Sequence, residues 1–417
     1  MLNFNHINWN ILEVTEINSK INNLEINWLY NLSPYYGEGE FDYIYTNILN
    51  KTKFYKILLK EWWYYLKVNW TLIIDFKSNK ILNFSNLIVI LNLFFKNDYK
   101  LDYFDLWDNL IRLEIKKERS TINKNDSIEK WTFWIITNWK RKDWIIQVIE
   151  SIIKQNIPHY EIIICWFLED KSIIDTFNIK YIEFTEKDNI GWITKKKNLV
   201  VENALYENLM IMHDKIILDN NWFKWMKEYW NNFESLSCIT HTSDWRRYSD
   251  WKIALWKDLY YIHNKVYNKI KFFVNQWIYK ESLWFNQFYL DYKDWDEKSV
   301  VIGHFNIVKK SIISKVKWDE NLYWNCAEDI ALSYDLSSNW YLNKFNSYSK
   351  VTSLNYRQAE HPIITFNSKK LWKIHSQYIL RLLFFIVKII KITWLDLYLQ
   401  PLINYLKNTN VYKKLIK

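Results

Sequence analysis

The chain is 417 residues long, room for two or three domains of roughly 150 residues and for a sizeable core. Its net charge is +10, but the lysines are scattered along the whole length, which excludes a concentrated nucleic-acid patch and favours ligand phosphates or an anionic membrane surface. Cys165, Cys238 and Cys326 lie far apart with no CxxC, which excludes a disulfide framework and a cysteine zinc site and points to a reducing compartment.

The opening segment 1–10 is polar, so no signal peptide is expected, and no internal repeat is visible. Within that segment Asn8-Trp9 is the first of six Asn-Trp steps (Trp9, Trp28, Trp70, Trp139, Trp222, Trp340). Four more tryptophans follow Asp (Trp144, Trp245, Trp251, Trp295). Asn-Gly and Asp-Gly are common tight-turn dipeptides, because Gly takes φ > 0 without steric cost. An indole has no such reason to follow Asn or Asp. The chain holds 26 Trp and only 4 Gly, and together they make an ordinary glycine complement of roughly 7%. The pattern reads as a gene whose UGA codons mean Gly but were translated as Trp. The alternative is a truly Trp-rich, sugar-stacking protein, and UGG codons at these positions would establish it.

Residues 1–125 read as mixed α/β. Phe41-Asp42-Tyr43-Ile44-Tyr45 has strand character, residues 54–66 have helical spacing, 67–70 form a turn, and 71–76 form a strand. With Trp70 as Gly, the run LLKEWWYYLKVNWTLIIDF resembles the late half of class I methyltransferases, where such a helix–turn–strand follows an F-D-x-I-Y strand. That family's cofactor loop, E-x-G-x-G-x-G, has no counterpart in residues 11–18. The resemblance therefore implies a degenerate domain without S-adenosylmethionine chemistry.

A polar stretch, 116–130, reads as a linker. Strands are expected at 132–136, 161–165, 180–184 and 209–213. Helices are expected through Ile145, Ile149 and Ile152 and over 193–206. This alternation predicts a doubly wound, mainly parallel sheet that binds its ligand at the carboxyl ends of the strands. Thr137-Asn138, Cys165-Trp166 and His213-Asp214-Lys215 end three of those strands.

From about 131 to 356 the chain resembles the family 2 glycosyltransferases of the GT-A fold. The opening FWIITNWKRKDWIIQVIESIIKQ resembles the family's nucleotide-binding start, which implies nucleoside contacts for Thr137 and Asn138. Cys165-Trp166 stands where the family has an Asp to hold the base. NIGWITKKKNLVVENA resembles the G-x-x-x-A-R-N helix, with Lys197 and Asn198 in the Arg-Asn place, and a cation there suits a diphosphate. In IMHDKIIL, Asp214 matches the family's D-x-D, which implies a Mn²⁺ or Mg²⁺ ion held with the donor diphosphate. Alternatively, Lys215 supplies part of that charge. The last motif, IGHFNIVKKSIISKVKWDENLYWNCAEDIALSYDLSSNWY, resembles the acceptor-side segment. It implies Asp329 as general base and Glu328 as the residue orienting acceptor or base. His241, His263 and His304 are candidate further metal ligands, though a lone His is more often structural.

Residues 378–399 are apolar but interrupted by Arg381, Lys388 and Lys391, which share one face at about 100° per residue. That is a basic amphipathic helix, suited to lie on a membrane or to pack on protein.

The expected architecture is therefore α/β. A truncated Rossmann-like, methyltransferase-type domain occupies 1–125, a GT-A-type doubly wound mixed sheet 126–365, and a basic amphipathic helical tail 366–417. The expected function is an inverting, metal-dependent transfer of sugar from a nucleotide-sugar donor to a glycan, lipid-linked or protein acceptor. The expected place is the cytoplasm, peripheral on the inner face of the membrane. The rivals are a bifunctional glycosyltransferase and methyltransferase, and a non-catalytic sugar-binding protein.

Overall fold

The protein is described from a computed structural model. It describes residues 10–15, 19–21, 24–26, 36–52, 54–96, 98–120, 126–137, 141–166, 171–184, 192–254, 287–297, 299–322, 328–354 and 365–366. The chain divides into two compact units, Met1–Tyr356 and Arg357–Lys417. Apart from Phe366, the expected helical tail lies outside the described residues, so the account below concerns the first unit.

The first sheet is built from β1 (Ile11–Val14), β4 (Phe41–Thr46), β5 (Leu66–Lys77), β6 (Tyr99–Trp107) and β7 (Leu110–Lys117), with a small hairpin of β2 (Ser19–Ile21) and β3 (Leu24–Ile26) beside it in sequence. Its order is β1-β4-β5-β7-β6. The first three strands are parallel, and β7 and β6 close the sheet antiparallel. Helices α1 (Tyr55–Tyr65) and α2 (Phe84–Phe95) join the strands. Asn83 caps α2 by accepting the Asn86 N–H at 2.9 Å, and Lys96 ends it in the left-handed region. The expected turn at 67–70 is not separate: α1 runs straight into β5, and the chain turns within the strand at Asn69, φ 71°. The pairing with β4 shifts register at that point. Asn tolerates the left-handed region, so one residue does the work of a loop.

The second sheet follows from β8 (Lys130–Ile136), α3 (Lys142–Ile153), β9 (His159–Trp166), α4 (Ser172–Thr176), β10 (Lys180–Glu183), α5 (Ile193–Asn203) and β11 (Asn208–His213). After β12 (Ile216–Leu218) and α6 (Trp222–Tyr229) come β13 (Ser235–Thr242), β14 (Lys252–Ala254), β15 (Gln287–Leu290), β16 (Ser299–Val300) and β17 (Phe305–Lys309). Next are α7 (Lys310–Ile313), α8 (Glu328–Ser338) and β18 (Asn343–Ser353). The eight strands run β10-β9-β8-β11-β17-β13-β18-β12. The first four are parallel, and β17 enters antiparallel between β11 and β13. Strand β14 pairs antiparallel with β15 and with β16 in a smaller sheet.

Alternation along the strands fills both faces. Trp131, Phe133, Ile135, Ile162, Ile164, Met210 and Met212 pack with Ile145 and Ile149 of α3 and Met226 of α6. Trp134, Ile163, Cys165, Leu209 and Ile211 pack with Val200 of α5 and Leu332 and Leu336 of α8. A sheet whose strands are buried on both faces is the doubly wound α/β arrangement that the sequence predicts. No helix among the described residues is long and apolar enough to cross a membrane.

Candidate active site

The parallel strands end at one edge, and the antiparallel β17 begins there. Met212 pairs with Phe305, and the His213 N–H donates to the His304 carbonyl at 3.0 Å. This pairing brings Asp214, just past β11, to the same sheet end as Gly303. The Gly303 N–H in turn donates to Asp329 Oδ2 at 3.0 Å. A Cβ at Gly303 would also sit 3.0 Å from that oxygen, so the missing side chain allows the close approach. The two carboxylates are thus joined through a short backbone path.

Asp214 is held on two sides. Its N–H donates to the Ile136 carbonyl at 2.9 Å, and its Oδ2 accepts the Thr137 hydroxyl at 2.7 Å. Burial raises its carboxyl above the usual value, and Thr137, Lys215 and Arg141 oppose that. Lys215 donates to the Tyr248 hydroxyl at 3.3 Å.

Asp329 sits in the first turn of α8 with Glu328, where the helix dipole favours negative charge. Its Oδ1 accepts the Ile330 N–H at 2.9 Å. Burial first, and the Glu328 carboxylate second, push its carboxyl up to about 6, against the pull of Lys197. A carboxyl in that range suits proton abstraction near neutral pH.

Lys197 is buried in α5 and pairs with Glu328 Oε1 at 3.3 Å. Its ammonium also lies 5.3 Å from the Trp318 ring centre. Asn198 bonds the 318–320 segment: Nδ2 donates to the Trp318 carbonyl at 2.9 Å and to Glu320 Oε1 at 3.0 Å, and Oδ1 accepts the Trp318 N–H at 3.0 Å. Asn198 therefore ties α5 to the segment before α8. Asn138 and His263 lie outside the described residues. His241 hydrogen-bonds Asp219 at 3.4 Å and the Thr242 carbonyl at 3.1 Å, and stacks on Trp245, a structural setting. His304 Nε2 has no hydrogen-bond partner among the described residues. Burial, with Lys215, His213 and Lys252 nearby, holds its imidazole well below the usual value, hence neutral.

Sequence reasoning missed Lys252. It is buried in β14, and burial pushes its ammonium down to about 8 while Asp250 and Asp329 hold it up. It also missed the support behind it. Arg247 pairs with the buried Asp250 at 2.7 Å, reaches the Leu290 carbonyl at 2.7 Å, and stacks on Tyr292 at 4.2 Å. The one local signal was the Arg247–Asp250 spacing; the other partners are distant in sequence.

Among the described residues no three His, Cys, Asp or Glu side chains gather as a metal cluster. Asp214 presents one carboxylate oxygen beyond its Thr137 bond, a donor set that fits an ion whose other ligands are phosphate oxygens and water.

No family model matches the chain, and no curated protein does. Among solved structures, S. aureus TarS 1-349 superposes with a TM-score of 0.36 at 13% identity, covering 54% of this chain and 60% of that one. The same TarS segment in complex with UDP-GlcNAc gives 0.35 and 13%, covering 57% and 62%. A longer TarS structure gives 0.36 and 12%, with 54% and 37% covered. The chain thus spans less than two thirds of each of these structures.

Proposed function

We propose that the chain is an inverting glycosyltransferase of the family 2, GT-A type. It moves a sugar from a nucleotide-sugar to a glycan, lipid-linked or protein acceptor. The observation that carries this is Asp214 and Asp329 at one sheet end, with Asp329 raised to about 6. In this reading Asp329 takes the acceptor hydroxyl's proton while that oxygen bonds the anomeric carbon. The bond from that carbon to the donor phosphate oxygen breaks, and its electron pair leaves on the diphosphate. Glu328, paired with Lys197, orients the base. Thr137 and Asn138 contact the nucleoside, and Lys197 and Asn198 line the donor side. Asp214 would hold a Mn²⁺ or Mg²⁺ ion, which neutralises diphosphate charge when bound. Residues 1–125 serve as a degenerate, methyltransferase-like docking module, and the basic tail apposes an anionic membrane face.

Turnover of UDP-, GDP- and dTDP-sugars by the full chain, with Mn²⁺ or EDTA, tests this reading. One donor turned over, and lost by at least about a hundredfold in both Asp214→Ala and Asp329→Asn, is the expected result. A well-folded chain that binds and turns over no donor overturns it.

We propose also that some tryptophans stand at glycine positions. Trp340 is left-handed (φ 63°) just past α8, where the Tyr341 N–H reaches the Leu336 carbonyl at 3.0 Å and the Trp340 N–H reaches the Ser337 carbonyl at 3.1 Å. That is a Schellman ending, whose left-handed residue is usually Gly. Trp230 ends α6 at φ 67°, ψ 179°, a region open essentially to Gly alone. Trp245 (φ 64°) closes a three-residue hairpin loop at the usual Gly position. In contrast, Trp62, Trp131, Trp134, Trp222 and Trp251 are fully buried and fill the core.

A further inference from the structure

Helix α8 carries Asp329 in its first turn and has no basic residue in its last. The negative end of its dipole is complemented from the first sheet layer instead. Lys60 of α1 donates to the Trp340 carbonyl at 3.0 Å and pairs with Glu234 at 2.5 Å. Glu234 accepts the Leu342 N–H at 3.4 Å, so the same cluster holds the chain as it leaves α8. Lys56, one turn earlier on α1, pairs with Glu297. The Glu297 carbonyl accepts the Ser337 hydroxyl at 2.8 Å. Glu61, next to Lys60, pairs with the buried Lys344 of β18, which also donates to the Asn232 carbonyl at 2.7 Å. Phe94 of α2 completes the contact, its ring centre 4.5 Å from the Lys60 ammonium.

We infer that α1 is a built-in clamp on α8, and that Lys60 is a positioning residue for Asp329; this rests on the reading of Asp329 as the general base. An α-helix of 11 residues spans about 16 Å. Over that length the Lys60 charge acts weakly on Asp329, because dipole and charge effects fade within a turn. A packed helix, however, moves as a body. A shift at its held end displaces the carboxylate at the other, and misplacement of about 1 Å costs roughly a hundredfold in rate. The first sheet layer thus acts on catalysis without containing a catalytic group.

The test uses the full chain with Lys60→Met, Lys60→Arg, and Arg112→Gln as a control. Arg112 pairs with Asp75 at 2.7 Å within the first sheet and, among the described residues, makes no hydrogen bond or ion pair to α8. Lys60→Met is expected to lower kcat at least about tenfold with donor KM within about twofold. It should also speed backbone amide exchange across Glu328–Ser338. Lys60→Arg should restore most of kcat. Arg112→Gln should lower Tm while leaving kcat and α8 exchange as in the wild type. If Lys60→Met does not fold, Glu297→Gln, at the exposed rim of the same contact, gives a graded form of the same readout. Unchanged α8 exchange and kcat in a folded variant overturn the inference. Faster α8 exchange in a chain that turns over no donor supports the clamp and discards the transferase reading.

Discussion

At Asp329, burial and the Glu328 carboxylate set activity against stability. Its carboxyl rises from an ordinary 3.8 to about 6. The fold therefore favours the protonated form. The stabilising contribution is full below about pH 4 and is lost as pH rises through about 6. Asp329→Asn should raise stability at pH 8 by on the order of 1 kcal/mol and leave it unchanged at pH 4, read by thermal unfolding at both values. In the wild type, kcat/KM should climb through the same region, because only the ionised carboxylate abstracts a proton. A donor-turnover profile flat from pH 5 to 8 would contradict this role. The left-handed tryptophans make a second residue-scale case. Trp230→Gly and Trp245→Gly should each raise stability by about 1 kcal/mol or more, since strain of that order is released. Trp131→Gly should instead lower it by about 3 kcal/mol or more through a cavity. Melting curves of the three variants separate the two groups.

At the scale of elements, legibility followed local pattern. Strands β8, β9 and β11 alternate large apolar residues onto two faces, and α3 repeats isoleucine at three and four residues, so both were readable. The start of α8 was readable because two carboxylates open it. The turn over 67–70 was readable, but its place inside one continuous strand was not: a single left-handed Asn69 turns the chain without breaking β5. The link between the carboxylates was half readable. Gly303 is one of few glycines as written, but its bond to Asp329 spans 26 residues. The clamp on α8 was beyond reach, since Lys60 and Glu234 lie 174 residues apart and each looks like an ordinary surface charge. Lys252 was missed for the same reason, as its effect depends on burial beside Asp250 and Asp329.

Across the whole molecule, burial of lysines sets an alkaline trend. Lys117 donates to the Trp63 and Leu66 carbonyls at 2.7 Å, capping α1 from β7. Lys309 bonds Asp126, Asn208 and Asn231. With Lys252, all three are pushed by burial down to about 8 from an ordinary 10.5. Each contributes stability that is full above about pH 10.5 and lost as pH falls through about 8. Half-buried tyrosines act oppositely. Tyr289 and Tyr45, both raised to about 12, contribute below about pH 10 and lose that as pH climbs toward 12. Thermal stability should therefore increase between pH 8 and 10, and Lys309→Met should flatten the slope. Calorimetry across that interval decides it, and a fall in Tm would show that the ammonium forms are fully compensated.

The Lys309 knot also bears on how the chain could be divided. Asp126 lies on the stretch between the two sheets, and it is bound at 2.8 Å by a lysine from 183 positions later. That knot lies wholly after a cut before 126 and pins the start of the second half, while Lys60–Glu234 and Glu61–Lys344 bridge the two halves through partly or fully buried pairs. Buried pairs are screened little by salt. Covalent continuity between the sheets is therefore not what keeps them side by side. Two separately synthesised fragments, split between 120 and 126, have the contacts needed to reassemble, and to stay together in high salt.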